Sequence, residues 1–191
     1  MRVLIACEFS GVVREAFTKK GHDAMSCDLL LTDIPGNHYQ GDVFDIINDG
    51  WDLMIAHPPC THLAVSGAAW FKQKIADGRQ QQGIDFFMKL ANSDIPKICV
   101  ENPVSIMSTK WRKPEQIVHP YMFGHKETKA TCLWLKGLDK LSDTNNLKTE
   151  TLALPKNERM RLHYLPPSID RGKLRSITYQ GIADAMANQW G

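Results

Sequence analysis

The chain of 191 residues carries a net formal charge of +2, and 43% of its residues are hydrophobic, which is ordinary for a globular protein with a single core. So small a positive excess permits nucleic-acid binding but does not argue for it. No apolar run is long enough to span a membrane, and the first one reaches the charged Glu8 too soon for a signal peptide.

The cysteines predict a reducing compartment. There are five of them, an odd number spread widely along the chain, and no two have C-x-x-C spacing. We therefore expect free thiols and a cytoplasmic protein. Cys60 and His62 could share a metal ion, but no second close pair of ligands accompanies them, so no metal site is predicted.

Short apolar runs alternate with amphipathic stretches along the chain. Runs of strand length occupy residues 2–6, 23–27, 53–56 and 97–100. Helical spacing occupies residues 12–20, 72–91 and 178–189. Residues 29–40 are predicted to be irregular, and residues 121–135 to form two strands around a polar turn.

This alternation predicts an α/β fold, with a mainly parallel sheet covered by helices on both faces. We expect a single domain over residues 1–191. Within it, residues 136–177 are weakly periodic and rich in lysine and arginine, and are predicted to form a short irregular basic segment. Such a segment can neutralise phosphates but offers little rigid surface for reading base edges. An ordinary solvated surface would have the same composition.

Residues 51–67 suggest a nucleophile. The apolar run 53–56 stops at Pro58-Pro59, which cannot continue a strand, and Cys60 follows at once. Cys60 is therefore expected just past the carboxyl end of a strand, at the edge of the sheet where ligands bind in α/β proteins. A thiol fixed there can act as a nucleophile, although free cysteines are also commonly buried and inert.

Acidic residues follow other strands of the predicted sheet. Asp28 closes the second strand, Gly41-Asp42 follows the irregular segment, and the first strand leads into Phe9-Ser10-Gly11. A glycine turn lets a cofactor approach the backbone closely, and acids at these ends can bind ribose hydroxyls or an adenine amino group. Each acid alone could equally be a loop residue or a helix cap.

Glu101 and Asn102 follow the apolar run 98–100, so the carboxylate is expected to be half-buried. A thiol and a carboxylate at adjacent strand ends can face each other across a pocket. The alternative is a solvated or helix-capping acid.

These motifs, in this order, resemble those of the DNA cytosine-C5 methyltransferases, which use S-adenosylmethionine (SAM). Phe9-Ser10-Gly11 is similar to the first cofactor motif, Pro58-Pro59-Cys60 to the Pro-Cys catalytic motif, and Glu101-Asn102 to the Glu-Asn-Val motif. Ser66-Gly67 and Gly78-Arg79 fit the mobile loop and the helix that follow the catalytic cysteine.

The chain also departs from that family's pattern. Val12-Val13 stands where further glycine is usual, and Pro103 replaces the valine of the Glu-Asn-Val motif. Residues 125–129 lie at the position of an arginine-rich motif but carry lysines. The resemblance is good over residues 1–110 and weak afterwards, and the chain has no room for a separate target-recognition domain. Small proteins of this kind suggest a phage or prophage source, and hence the cytoplasm of a bacterial host.

The resemblance implies a Rossmann-like, SAM-dependent methyltransferase fold and methyl transfer to C5 of cytosine in DNA. The residues expected to bind SAM are Phe9, Ser10, Gly11, Asp28, Asp42 and Pro58. The expected catalytic residues are Cys60, Glu101, Asn102 and Lys129. The residues expected to contact nucleic acid are Ser66, Arg79, Lys126, Arg159 and Arg161.

The chemistry assigns a role to each catalytic residue. A thiolate adding to C6 activates C5 toward the methyl group, and Cys60 is the residue expected to add. Glu101 would stabilise the charge near N3 if burial raises its pKa, Asn102 would brace the loop around Cys60, and Lys129 or Lys126 would hold the O2 carbonyl. The target cytosine must be flipped out of a duplex or single-stranded.

Three alternatives stay open. The same scaffold could modify RNA or a nucleotide, or transfer another group, and it could also be an inert SAM-fold partner of a host enzyme. A separate protein could supply the missing sequence specificity. Trp70, which follows the loop after Cys60, could help to cover the target base or could be a core aromatic.

Overall fold

A computed structural model describes residues 1–191 and contains one seven-stranded sheet. The strands lie in the order β3-β2-β1-β4-β5-β7-β6. Strand β7 is antiparallel to β5 and β6, and the other pairs are parallel. The strands are β1 (Arg2–Ala6), β2 (Asp23–Asp28), β3 (His38–Gln40), β4 (Leu53–Ala56), β5 (Lys97–Pro103), β6 (Gln116–Val118) and β7 (Thr131–Lys136).

Eight α-helices accompany the sheet. They are α1 (Val12–Lys19), α2 (Phe71–Ala76), α3 (Arg79–Ala91), α4 (Met107–Lys110), α5 (Lys148–Ala153), α6 (Lys156–Arg159), α7 (Arg171–Ser176) and α8 (Gln180–Trp190). Short 3-10 turns cover Val43–Asp45, Val65–Trp70 and Pro120–Met122. None of these helices combines the length and the hydropathy needed to cross a membrane.

Two apolar clusters lie on opposite faces of the sheet, because successive strand residues point to opposite sides. Phe17 of α1 and Met186 of α8 pack with Val3 and Ile5 of β1 on one face. Phe87 of α3 packs in the cluster of the other face, which includes the alternate β1 residue Leu4. The prediction of an α/β fold with a mainly parallel sheet and helices on both faces is confirmed.

Several predicted boundaries need correction. The predicted helix 72–91 is two helices, because Gly78 adopts a left-handed conformation (φ +80°) and the Asp77 carboxylate accepts a hydrogen bond from the Arg79 amide. The first strand predicted within 121–135 is a 3-10 turn starting at Pro120, and the edge strand β6 precedes it. Strand β3 was missed because its three residues carry no apolar alternation. Residues 136–177 contain three short helices rather than irregular chain alone.

The strand order places a ligand crevice between β1 and β4. The chain runs from β1 to β2 on one side, and later returns to add β4 on the other side of β1. Ligands of open α/β sheets bind at such a switch point, outside the carboxyl ends of the strands. Residues 7–11, Asp28, residues 57–60 and residues 101–103 all lie at or just beyond these ends.

Candidate active site

A cleft with about 520 Å³ of empty space, including its mouth, opens at the carboxyl ends of β1 and β2. Its lining consists of Cys7, Cys27, Asp28, Leu29, Gly41, Asp42, Val43, Pro59 and Phe86. The structure thus brings the two predicted cofactor acids, Asp28 and Asp42, to one cleft.

Each acid of the cleft also caps the local backbone. Asp28 Oδ1 accepts a hydrogen bond from the Leu30 amide at 2.9 Å, and Asp42 Oδ1 accepts one from the Phe44 amide at 3.0 Å. The capping role weighed against a binding role is therefore present. It occupies one oxygen of each carboxylate, and the second oxygen has no hydrogen-bond partner in the protein.

The turn after β1 is held by a buried carboxylate. Glu8 Oε1 accepts hydrogen bonds from the Val13 amide at 2.7 Å and the Ser10 hydroxyl at 3.1 Å, which caps the start of α1. Gly11 has a left-handed φ of +75°, and a Cβ there would lie 2.8 Å from a guanidinium nitrogen of the buried Arg14. Gly11 thus shapes this turn and is not part of the lining of the cleft.

The lining of the cleft combines charged acceptors with apolar surface. Two carboxylates with free oxygens can accept hydrogen bonds from ribose hydroxyls or an amino group, and Leu29, Val43 and Phe86 offer apolar surface to a flat base. One assignment changes. Pro58, expected to contact the cofactor, is buried, whereas Pro59 lines the cleft.

A second, smaller cavity adjoins the first one. It encloses about 280 Å³ and is lined by Cys7, Glu8, Phe9, Ser10, His57, Ser176 and Thr178. Cys7 lines both cavities. The predicted cofactor residues Phe9 and Ser10 therefore lie beside the cleft. They share the smaller cavity with Ser176, the last residue of α7.

The Cys60 loop is braced from two directions. Asn102 Nδ2 donates a 2.9 Å hydrogen bond to the Pro58 carbonyl, and the Lys74 ammonium donates one of 2.6 Å to the Thr61 carbonyl. Cys60 is half-buried between these two anchors. The loop conformation is thus fixed by side chains as well as by the two prolines.

The surroundings of the Cys60 thiol favour its protonated form. Burial raises the pKa of Cys60, and the negative charge of Glu101 raises it further. The positive charges of Lys129 and Arg175 act in the opposite direction without cancelling the rise. The site therefore already contains the groups that would favour a thiolate, and one carboxylate that opposes it.

Glu101 lies against His57. Its Oε2 is 2.8 Å from His57 Nδ1, and the side chains are only 16% and 9% exposed respectively. Burial alone would raise the pKa of Glu101, but the hydrogen bond from His57 and the charges of His57 and Lys129 outweigh it, so that the pKa lies below its usual value. The expectation of a raised pKa is wrong, because the pairing of Glu101 with His57 depends on the register of β4 against β5.

The predicted cationic residues are mostly engaged within the protein. Lys129 donates to the Arg175 carbonyl at 3.0 Å, and Lys126 pairs with Glu150 at 3.1 Å. Arg159 donates to the carbonyls of Leu152 and Leu154; Arg161 pairs with Glu127, and Arg79 with Asp77. Lys129 alone of these acts on Cys60 and Glu101. Ser66 is exposed on the turn that follows Cys60.

Two residues of the site were not predicted, and Trp70 was predicted only as one of two alternatives. His57 contacts Glu101, and Arg175 lies near Cys60 with no hydrogen bond or ion pair to its guanidinium. Trp70 is 63% exposed, so it is not a core aromatic. A signal existed for His57, which directly precedes the Pro-Pro pair, but none for Arg175, which is one of many basic residues in its segment.

Comparisons with known proteins support the fold. No family model and no curated protein sequence matches the chain. A solved structure with a similar fold is that of an Escherichia coli protein encoded within a prophage and assigned as a DNA modification methyltransferase. It is 19% identical, with a TM-score of 0.51, and the match covers 82% of this chain. The match covers 56% of that protein, so this chain spans little more than half its length.

Proposed function

We propose that the chain is a SAM-dependent methyltransferase acting on C5 of cytosine in DNA, through a covalent bond to Cys60. The observation that carries the proposal is the grouping of a braced thiol, a buried carboxylate and a cleft with two acids along one edge of the sheet. An inert binding partner would need neither the thiol nor the buried carboxylate. The methyltransferase fold of the prophage protein supports the same class.

The proposed roles belong to residues at the carboxyl ends of four strands, β2, β3, β4 and β5. Asp28 and Asp42 would hold the ribose and adenine of SAM, which supplies an electrophilic methyl group when bound. Cys60 would add to C6 of a cytosine lying outside the stack, because its ring cannot be reached within a duplex. Glu101, on the next strand, would face N3 of the same ring and stabilise the charge that develops there.

The charges of the site couple the thiol to the carboxylate. The Glu101 charge is one cause of the raised pKa of Cys60. When a proton reaches Glu101 that repulsion disappears, and the pKa of Cys60 falls. Lys129 and Arg175 then favour the thiolate. Because Lys126 and Lys129 are engaged, Arg175 is the cation that we assign to the O2 carbonyl or the adjacent phosphate.

A second candidate is the same transfer to RNA or to a free nucleotide. The internal bonds of Arg159, Arg161 and Lys126 favour it, because cations engaged within the protein are less available to a long phosphate backbone. Transfer of tritiated methyl groups from SAM to DNA, RNA and nucleotides, compared in one assay, separates the candidates. We expect incorporation into DNA, and incorporation into a nucleotide alone would favour the second candidate.

Removing either cleft acid should weaken SAM binding. Asp28→Ala and Asp42→Ala each remove a charged acceptor, and a lost hydrogen bond to a charged group costs about 1.5–3 kcal/mol. Isothermal titration calorimetry should show the affinity falling about 10- to 150-fold. Asp94→Ala is the matched control, because Asp94 is exposed and precedes β5 at the opposite edge of the sheet. Wild-type affinity in both cleft variants would refute the assignment.

Trp70 should contribute to nucleic-acid binding by stacking. It is 63% exposed and ends the turn after Cys60, where an unstacked base can reach it. Trp70→Ala should weaken binding of single-stranded DNA by about 1–3 kcal/mol, and Trp70→Phe should retain most of the affinity. Fluorescence anisotropy of a labelled oligonucleotide measures both. Equal losses in the two variants would argue against stacking.

A further inference from the structure

His57 and Glu101 form a buried pair, and the proposed mechanism gives a role to Glu101 but none to His57. In the register of β4 and β5, Ala56 lies opposite Val100, so His57, which directly follows β4, lies beside Glu101 of β5. Their 2.8 Å contact joins Nδ1 to Oε2. The His57 backbone amide also donates to the Ala6 carbonyl, which fixes the histidine between β1 and β5.

The other nitrogen of His57 is unpaired. Nε2 is buried without a hydrogen-bond partner, and His57 lines the smaller cavity together with Ser10 and Thr178. Buried polar atoms are nearly always satisfied, so an unpaired one beside a cavity indicates a partner that arrives with the ligand or during the reaction. The imidazole therefore connects a carboxylate on one side with a cavity on the other.

Few charged groups face this pair. The charge of Lys129 acts on Glu101, and the Glu101 charge in turn acts on the thiols of Cys60, Cys99 and Cys132. Glu8, which also lines the smaller cavity, is engaged in capping α1. His57 is thus the one side chain in hydrogen-bond contact with Glu101, and a neutral imidazole has one nitrogen that can give a proton and one that can accept a proton.

We propose that His57 is a positioning residue that supplies, through Glu101, the proton taken up by N3 of the target cytosine; this rests on the proposed function. In the addition step the Cys60 thiolate, whose proton has passed to solvent, forms the Sγ–C6 bond, and the displaced π electrons pass through the ring to N3. Nδ1 of the neutral His57 imidazole gives its proton to the Glu101 carboxylate, which passes it on to N3, while Nε2 takes up a proton from solvent. One proton enters at Nε2, one arrives at N3, and Glu101 is a carboxylate before and after the step.

The unpaired Nε2 gives this relay its entry. A neutral imidazole that gives up its Nδ1 proton takes one at its other nitrogen, and Nε2 is unpaired in a side chain that lines the smaller cavity. A histidine serving only to orient Glu101 would not need that second nitrogen free. An asparagine at this position could donate the same hydrogen bond, but it could not carry a proton.

The test is the pH dependence of covalent trapping in His57→Asn. DNA that contains 5-fluorocytosine is incubated with the full chain and SAM, and the rate of the denaturant-resistant adduct is measured from about pH 6 to about pH 9. In the variant Glu101 must take its proton from solvent. We expect trapping to be slower than in the wild type by roughly 10- to 100-fold at about pH 8. The decline of the trapping rate with rising pH should also begin at a lower pH than in the wild type.

Controls separate this inference from the function on which it rests. His22→Asn should keep the wild-type profile, because His22 lies at the opposite end of the sheet beside the N-terminus. SAM affinity should be unchanged in His57→Asn, and His57→Gln provides a second variant if the first does not fold. If a folded His57→Asn variant traps DNA at the wild-type rate and with the wild-type pH dependence, the relay is overturned and the proposed function is not. Absence of any wild-type adduct would overturn the proposed function.

Discussion

A Cys60→Ser variant is expected to lose methyl transfer to DNA while binding SAM as tightly as the wild type. A serine hydroxyl ionises far less readily than a thiol, so no nucleophile remains to add to C6. Loss of a covalent nucleophile costs on the order of 10⁴- to 10⁶-fold in rate. Tritium incorporation into DNA measures the transfer, and calorimetry measures the binding of SAM.

The neighbouring residue provides the control for this variant. Thr61 has an exposed side chain, and its backbone carbonyl, which Lys74 contacts, survives substitution. Thr61→Ala should therefore keep transfer close to the wild-type rate. Substantial transfer by Cys60→Ser would mean that the reaction needs no covalent step, as in transfer to an exocyclic nitrogen or an oxygen.

A Glu101→Gln variant should separate thiol reactivity from catalysis. The amide cannot donate the carboxyl proton to N3, so transfer should fall by about 10²- to 10⁴-fold. The same change removes a negative charge that raises the pKa of Cys60. The thiolate fraction at a given pH should therefore rise, and Cys60 should be alkylated by iodoacetamide at lower pH than in the wild type.

Mass spectrometry distinguishes Cys60 from the other four cysteines in that experiment. Cys27, Cys99 and Cys132 are buried, which protects them from the reagent. Slow alkylation of Cys60 in Glu101→Gln together with slow transfer would indicate a disturbed loop instead of a lost proton donor. Unchanged transfer would remove Glu101 from the mechanism.

The sequence predicted the edge of the sheet at which the site lies, because parallel strands present their carboxyl ends together. Asp28, Cys60 and Glu101 each follow an apolar run of strand length, and this was sufficient to place them on one edge. The cleft lined by Asp28 and Asp42 follows from the same rule.

The contacts within the site depended on information that the sequence does not carry. The pairing of His57 with Glu101 requires the register of β4 against β5, which apolar runs of four residues leave open. The lowered pKa of Glu101 follows from that pairing. The partners of Arg159 and Arg161 depend on how short helices fold back onto residues 127 and 152–154, so composition alone overstated the free positive charge.

The most direct test of the proposed function is the mass of the wild-type chain after incubation with SAM and an oligonucleotide containing 5-fluorocytosine. Fluorine at C5 cannot leave as the proton does, so a true cytosine-C5 methyltransferase remains bonded to its substrate. We predict a denaturant-resistant adduct carrying one methyl group, with proteolysis placing the bond on Cys60. Methylation of DNA without any adduct, or a bond on Cys7, Cys27, Cys99 or Cys132, would contradict the proposed mechanism.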